Sequence, residues 1–203
     1  TLTRYSLFGV IATLSFVFYT NIDKILINRY MMVADVGIYR AYFAASINVM
    51  AVPYGIFTTV FFPTVSKYKN KGAILKRINK LVPYLIGLGI PSILLCEFVI
   101  LKLYGSQYPF DLGLAILFAI AAIIIVVNGL YMWLMASVGR KGVKVTAFSE
   151  LISAAVNVGL NIVFIPRIGI SGAIIATIVS YFVFISLNLS RRRLLQIDSE
   201  DKE

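Results

Sequence analysis

Histidine is absent from the 203 residues, and cysteine occurs once. Without histidine, no Ser-His-Asp triad and no histidine-bound zinc can be built within the chain. Cys96 lies inside an apolar run. It can form no intrachain disulfide, and cysteine usage identifies no redox compartment. Charge is scarce as well, at 14% of residues against the quarter or so of an ordinary soluble domain. That shortage, with 60% hydrophobic residues and a mean hydropathy of +0.89, excludes both a water-soluble globular fold and a disordered chain. Also missing are a Gly-rich phosphate loop, a paired-carboxylate spacing and a nucleophile next to a base, so no enzyme is expected.

What charge there is has one dominant sign: nineteen Lys and Arg against nine Asp and Glu, a net +10. The basic residues cluster between long apolar runs instead of coating a surface. That is the pattern of a multi-span membrane protein and not of a nucleic-acid binder. A crossing helix needs about 20 apolar residues. Six stretches meet this: 6–30, 40–65, 81–104, 112–138, 145–165 and 169–190. None alternates as a membrane β-strand would. The expected fold is therefore an all-α, polytopic bundle of six transmembrane helices over 1–190, with a basic then acidic tail over 191–203. The chain starts Thr1-Leu2-Thr3 without methionine, and no small-residue cleavage site follows its first apolar run. That run reads as a span and not a signal peptide, and the start reads as that of a fragment or processed piece.

Fourteen Lys and Arg fall on one side of this arrangement: Arg4, six over 67–80, three over 140–144 and four in the tail. Arg29, Arg40, Lys102 and Arg167 fall on the other. The positive-inside rule places both termini in the cytoplasm, with the basic loops meeting anionic lipid heads. Tyr30, Tyr39, Tyr104, Tyr108 and Phe110 then form an outer aromatic belt. Pro53, Pro83 and Pro91 predict kinks, because proline lacks a backbone donor and crowds the preceding turn.

Charged residues inside the spans need a reason, since each costs several kcal/mol on insertion scales. Asn21, Lys24 and Asn28 share one helical face, and Thr20, Asp23 and Ile27 share the next. Asp23 and Lys24 cannot face each other, so each looks for a partner on another helix or in water; otherwise the span ends near Asn21. Glu97 reads as an ion pair with Lys102 or a snorkelling carboxylate, with proton carriage as the alternative. Glu150 reads as interfacial. Asn157 and Asn161 stand one turn apart with Ser153, and span six carries Ser171, Thr177 and Ser180 beside Gly172, Ala173 and Ala176. Small residues and amides at these spacings serve helix–helix packing.

Three stretches together resemble the polysaccharide and oligosaccharide-lipid flippases of the multidrug/oligosaccharidyl-lipid/polysaccharide exporter superfamily. The first is Asn21-Ile22-Asp23-Lys24 followed by Val36-Gly37-Ile38-Tyr39-Arg40-Ala41. The second is Leu103-Tyr104-Gly105-Ser106-Gln107-Tyr108. The third runs from Asn161 through Ile165-Pro166, Gly169-Ile170 and Gly172-Ala173 to Thr177, and looks like the family's Asn-x-x-x-Ile-Pro-x-x-Gly-Ile-x-Gly-Ala run.

The resemblance implies two six-helix lobes around a cavity that opens alternately to each side, of which this chain is the second lobe. Its partner would be a missing N-terminal lobe or a second copy. The implied cargo is a glycan on an isoprenoid phosphate or pyrophosphate, turned from the cytoplasmic to the outer leaflet of the plasma membrane for polysaccharide synthesis. Lys24, Arg29 and Arg40 are the candidates to meet its phosphates and acidic sugars. The resemblance also implies a coupling cation, sodium or a proton, and no other cofactor. Asp23, Asn157, Asn161 and Thr177 match a sodium site of some relatives, at depths of roughly 6–13 Å below the outer helix ends at 1.5 Å per residue. Asn161 stands where those relatives carry an acid. The alternatives are a multidrug efflux carrier of the same superfamily and a non-transporting scaffold subunit.

Overall fold

The computed structural model describes residues 21–197. Among them every regular element is helical, in the order α1 (Ile22–Tyr30), α2 (Val33–Phe43), a π-helical turn (Ala44–Asn48), α3 (Val49–Lys67), α4 (Lys71–Tyr104), α5 (Leu112–Ala136), α6 (Arg140–Ser190) and a short α7 (Leu194–Ile197). Four helical stretches are long and apolar enough to cross a membrane: Val33–Lys67, α4, α5 and α6. An all-helical apolar chain of this kind keeps its backbone hydrogen bonds within each segment, as lipid requires.

Six separate crossings are not established among the described residues. Most of the expected first span, 6–20, lies outside them, as do Arg4, Thr20 and the acidic end of the tail. The fifth and sixth stretches merge into one helix of 51 residues, interrupted by non-helical backbone at Ile168 and Gly169. At 1.5 Å per residue such a helix would be about 76 Å long if straight, far more than a bilayer's depth. It does not run straight. Ser153 Oγ donates to the Ser180 carbonyl at 2.7 Å, and Asn157 reaches Thr177 and Ser180, so the arms 140–167 and 170–190 lie antiparallel. Gly169, at φ +60° and ψ −138°, occupies backbone space that L side chains avoid. A few residues on, Gly172 sits so close to the first arm that a Cβ there would stand 2.6 Å from the Phe164 carbonyl carbon.

Two boundaries move for capping reasons. The second stretch starts at Val33, because the Met32 N–H is accepted by Asp35 Oδ2 at 3.0 Å and opens a helix seven residues before the expected start. The third starts at Lys71, where Asn70 Oδ1 accepts from the Ala73 N–H at 2.9 Å. Lys71, Lys76, Arg77 and Lys80 are therefore helical residues, and the connection that was expected to hold them shrinks to 68–70. Lys71 is not a lipid-facing charge. It is 1% exposed, and its ammonium donates to the carbonyls of Val65, Ser66 and Tyr68, closing the end of α3.

The core is organised around α5. Asp111 Oδ1 caps its start by accepting from the Leu114 N–H at 2.7 Å. Along it Ala115, Ala119, Ala121 and Ala122 are buried, and these small side chains let neighbouring helices approach closely. The helix packs on α3, α4 and α6 and on the π turn. Tyr131 on α5 donates to Asn79 Oδ1 on α4 at 2.8 Å. Tyr42 ties the α4–α5 connection to α2, donating to the Pro109 carbonyl at 2.9 Å and accepting from the Asp111 N–H at 2.6 Å.

Candidate functional site

The short connection after α1 turns α2 back beside it. Tyr39, Phe43 and Ile47 then face Asp23, while the two arms of α6 bring Asn157 and Thr177 up to the same place. The result is a cavity of about 150 Å³ lined by Asp23, Tyr39, Phe43, Ile47, Ile125, Asn157, Thr177 and Tyr181. A space of that size holds several waters or a partly hydrated ion.

Asp23 is buried and partnered from another helix, since the Tyr39 hydroxyl donates to its Oδ2. The Lys24 N–H donates to its Oδ1 at 2.9 Å. Lys24 itself is half-buried: its ammonium donates to Asn21 Oδ1 at 3.0 Å and lies 4.9 Å from the centre of the Phe43 ring, a cation–π approach. Neighbours in sequence thus look to different partners, as the helical geometry requires. On the far wall, Asn161 Nδ2 donates to Asn157 Oδ1 at 3.0 Å. Asn157 Nδ2 in turn faces Thr177 Oγ1 at 3.5 Å and Ser180 Oγ at 3.4 Å. Thr177 donates to the Ala173 carbonyl at 3.1 Å.

Of the four residues matched to a cation site, the cavity therefore brings together Asp23, Asn157 and Thr177. Asn161 sits behind Asn157, fully buried, with Oδ1 unpartnered among the described residues. Lys24 stands beside the cavity, over one of its wall residues. Arg29 and Arg40 are exposed and do not line it. No group of three or more His, Cys, Asp or Glu gathers among the described residues, so a multi-carboxylate metal centre is not formed there. The cavity instead presents one carboxylate, the Thr177 hydroxyl and the Asn157 amide, whose nitrogen is turned toward Thr177 and Ser180.

Tyr39 is the residue that sequence reasoning misplaced. It is 1% exposed and packs edge-on against Phe118 at 5.4 Å between ring centres, so it belongs to the core and not to an aromatic belt. The signal was present in the spacing of Tyr39, Tyr42, Phe43 and Ser46, which is one helical face. Glu97 also departs from expectation. It forms no ion pair with Lys102, whose ammonium lies 5.6 Å from the Phe98 ring centre on an exposed face. Its own face of α4 points inward between buried Ile93 and Leu101, leaving the carboxylate fully buried with neither oxygen hydrogen-bonded among the described residues.

Residues 1–111 match the family described as polysaccharide biosynthesis protein. The chain belongs to that family. No curated protein and no solved structure matches it. The matched segment runs from the chain start through α4 into the connection before α5, and contains Asp23, Lys24, Tyr39, Arg40 and Glu97. Membership agrees with the resemblance to polysaccharide exporters, two of whose three stretches fall within it. The third stretch, with Asn161 and Thr177, lies beyond the matched residues, and so does the α6 wall of the cavity. A membrane protein of polysaccharide biosynthesis is thus established from two sides, by family and by helices long and apolar enough to span.

Proposed function

We propose that the chain is one lobe of a transporter that turns a lipid-linked oligosaccharide from the cytoplasmic to the outer leaflet by alternating access, and that it catalyses no glycan chemistry. The observation that carries this reading is a cavity in which Asp23, Asn157 and Thr177 stand among aromatic and aliphatic walls, inside apolar helices of a polysaccharide biosynthesis protein. Lys24 meets the cargo's phosphate as a desolvated point charge. Arg29 and Arg40, exposed near the same end, meet acidic sugars. Asp23, Asn157 and Thr177, with Asn161 fixing the Asn157 amide, take a coupling cation. The lobe comprises six crossings over 1–190 in the plasma membrane, with 191–203 in the cytoplasm. A second lobe, from the same polypeptide or another copy, completes the path.

Export of the glycan in cells carrying Lys24→Ala tests this directly. Loss of export with retained membrane insertion, restored in part by Lys24→Arg, is the expected result; undiminished export sinks the cargo role of Lys24. For the cation, sodium should raise the unfolding temperature of the purified wild type and have no effect on Asp23→Ala. An unresponsive wild type removes sodium from the mechanism.

A second reading has one observation in its favour. Three aromatic rings, those of Tyr39, Phe43 and Tyr181, surround a carboxylate in the cavity, an environment that suits an organic cation. A multidrug carrier would make cells lacking the protein sensitive to cationic dyes, whereas a glycan transporter would leave dye sensitivity unchanged.

A further inference from the structure

A second recess is larger than the Asp23 cavity. It is a cleft of about 900 Å³ at the other end of α6, where the start of the first arm meets the end of the second. Lys141 and Lys144 line it from the first turns of α6, and Arg191, Arg192 and Arg193 from the turn that leaves Ser190. No carboxylate is among its lining residues in the described chain. Beside these five cations the wall carries Val145, Phe148 and Leu187, together with Ser149 and Ser190. Phe148 is 64% exposed, and Leu151, one turn further along the arm, 69%. A cationic cleft therefore opens onto an apolar strip that runs along a helix of membrane-spanning length.

We propose that this cleft binds the phosphate headgroup of a membrane amphiphile, with its chain lying along Phe148 and Leu151. Five cations from two segments line one cleft, the arrangement by which basic pockets between membrane helices bind phosphorylated lipids. Its volume suits a headgroup. The apolar wall is what distinguishes an amphiphile from a free anion, which would gain nothing from Phe148. The site is separate from the Asp23 cavity, shares none of its lining residues, and needs no transported cargo.

The test reads binding, so it is independent of transport. The purified full chain is placed in vesicles of phosphatidylcholine alone or of phosphatidylcholine with phosphatidylglycerol, and lipid retained by the protein is measured by native mass spectrometry. A short-chain prenyl pyrophosphate and inorganic pyrophosphate are added separately in detergent. Wild type should retain phosphatidylglycerol or the prenyl pyrophosphate, which of the two telling bulk lipid from a prenyl carrier. Binding should fall about a hundredfold in the Lys144→Ala/Arg191→Ala/Arg193→Ala protein, for three charges removed. Lys67→Ala/Lys69→Ala/Lys80→Ala, which removes equal charge away from the cleft, should bind as wild type, and Lys144→Arg/Arg191→Lys guards against a folding defect by binding nearly as wild type. Equal losses in both triple variants would reduce the effect to general surface charge and overturn the proposal. So would inorganic pyrophosphate binding as tightly as the prenyl form. Lipid binding that appears only after removal of residues 198–203 would make the acidic tail the occupant and overturn it equally.

Discussion

Two carboxylates in this chain are buried in opposite ways, and the difference predicts opposite responses to substitution at each site. Asp23 accepts from the Tyr39 hydroxyl and from the Lys24 N–H, so its burial is compensated. Glu97 is fully buried with neither oxygen partnered among the described residues. Removing a donor from a buried acceptor costs that group's desolvation in full, about 1–3 kcal/mol. Tyr39→Phe should therefore lower stability by about that amount, read as a lower unfolding temperature in detergent, since phenylalanine keeps the packing on Phe118 and loses only the hydroxyl. Replacing a buried carboxyl that has no hydrogen bond to lose by a neutral group of similar shape is neutral or stabilising. Glu97→Gln and Glu97→Leu should accordingly unfold at or above the wild-type temperature. A sharp destabilisation by both would show that the carboxylate has a partner in the folded membrane protein. Burial of Glu97 could be anticipated from the apolar residues around it, but not its isolation. Lys102, five residues on, looks like a partner by proximity in sequence, yet five positions of a 3.6-residue helix point the two side chains to different faces.

At the level of elements, the reversal within α6 rests on two glycines with different reasons to be glycine. Gly169 supplies a backbone conformation, and Gly172 supplies a close approach. Gly169→Ala should cost about 1–3 kcal/mol through strain at a positive φ, before any adjustment of Met31, whose Cε would lie 3.0 Å from the new Cβ. Gly159→Ala provides the contrast. Its Cβ would meet nothing within 4 Å, so the same change there should stabilise by about 0.5–1 kcal/mol through helix propensity alone. Thermal unfolding of the two variants side by side checks both signs. This turn was readable from Pro166, Gly169 and Gly172, and the expected stretches 145–165 and 169–190 meet within a residue or two of it. The starts of the second and third stretches were not readable from hydropathy, because they are set by hydrogen bonds to Asp35 and Asn70 and those polar caps lie outside the apolar runs. Asp23, Asn157 and Thr177 were grouped only through the resemblance, since the spacing of Asn157 and Thr177 alone reads as helix packing. Neither spacing nor resemblance supplied Tyr39, whose position depends on how α2 folds back on α1.

Across the whole molecule, charge and geometry together fix an expected orientation that neither fixes alone. The end of α5 that carries the turn 137–139 leads into Arg140, Lys141 and Lys144, and the connection 68–70 sits between Lys67 and Lys71. The opposite end of α5 begins at the connection 105–111, which carries no lysine or arginine. Both basic connections should face the cytoplasm, and 105–111 should face outward. Moving Lys71 from a solvated loop into a helix cap does not weaken the asymmetry, because Lys67, Lys69, Lys76, Arg77 and Lys80 remain exposed around the same connection. With Cys96 replaced by alanine the chain has no thiol, so single cysteines report sidedness cleanly. In intact cells a membrane-impermeant maleimide should label Ser106→Cys and leave Ser137→Cys unreacted until the membrane is opened. The cleft lined by Lys141, Lys144 and Arg191–Arg193 shares its end of α6 with the turn 137–139, so the same experiment decides which leaflet can reach it. Labelling of Ser137→Cys from outside would turn the bundle over and place those five cations at the outer leaflet, where a cytoplasmic phosphate amphiphile could not bind them.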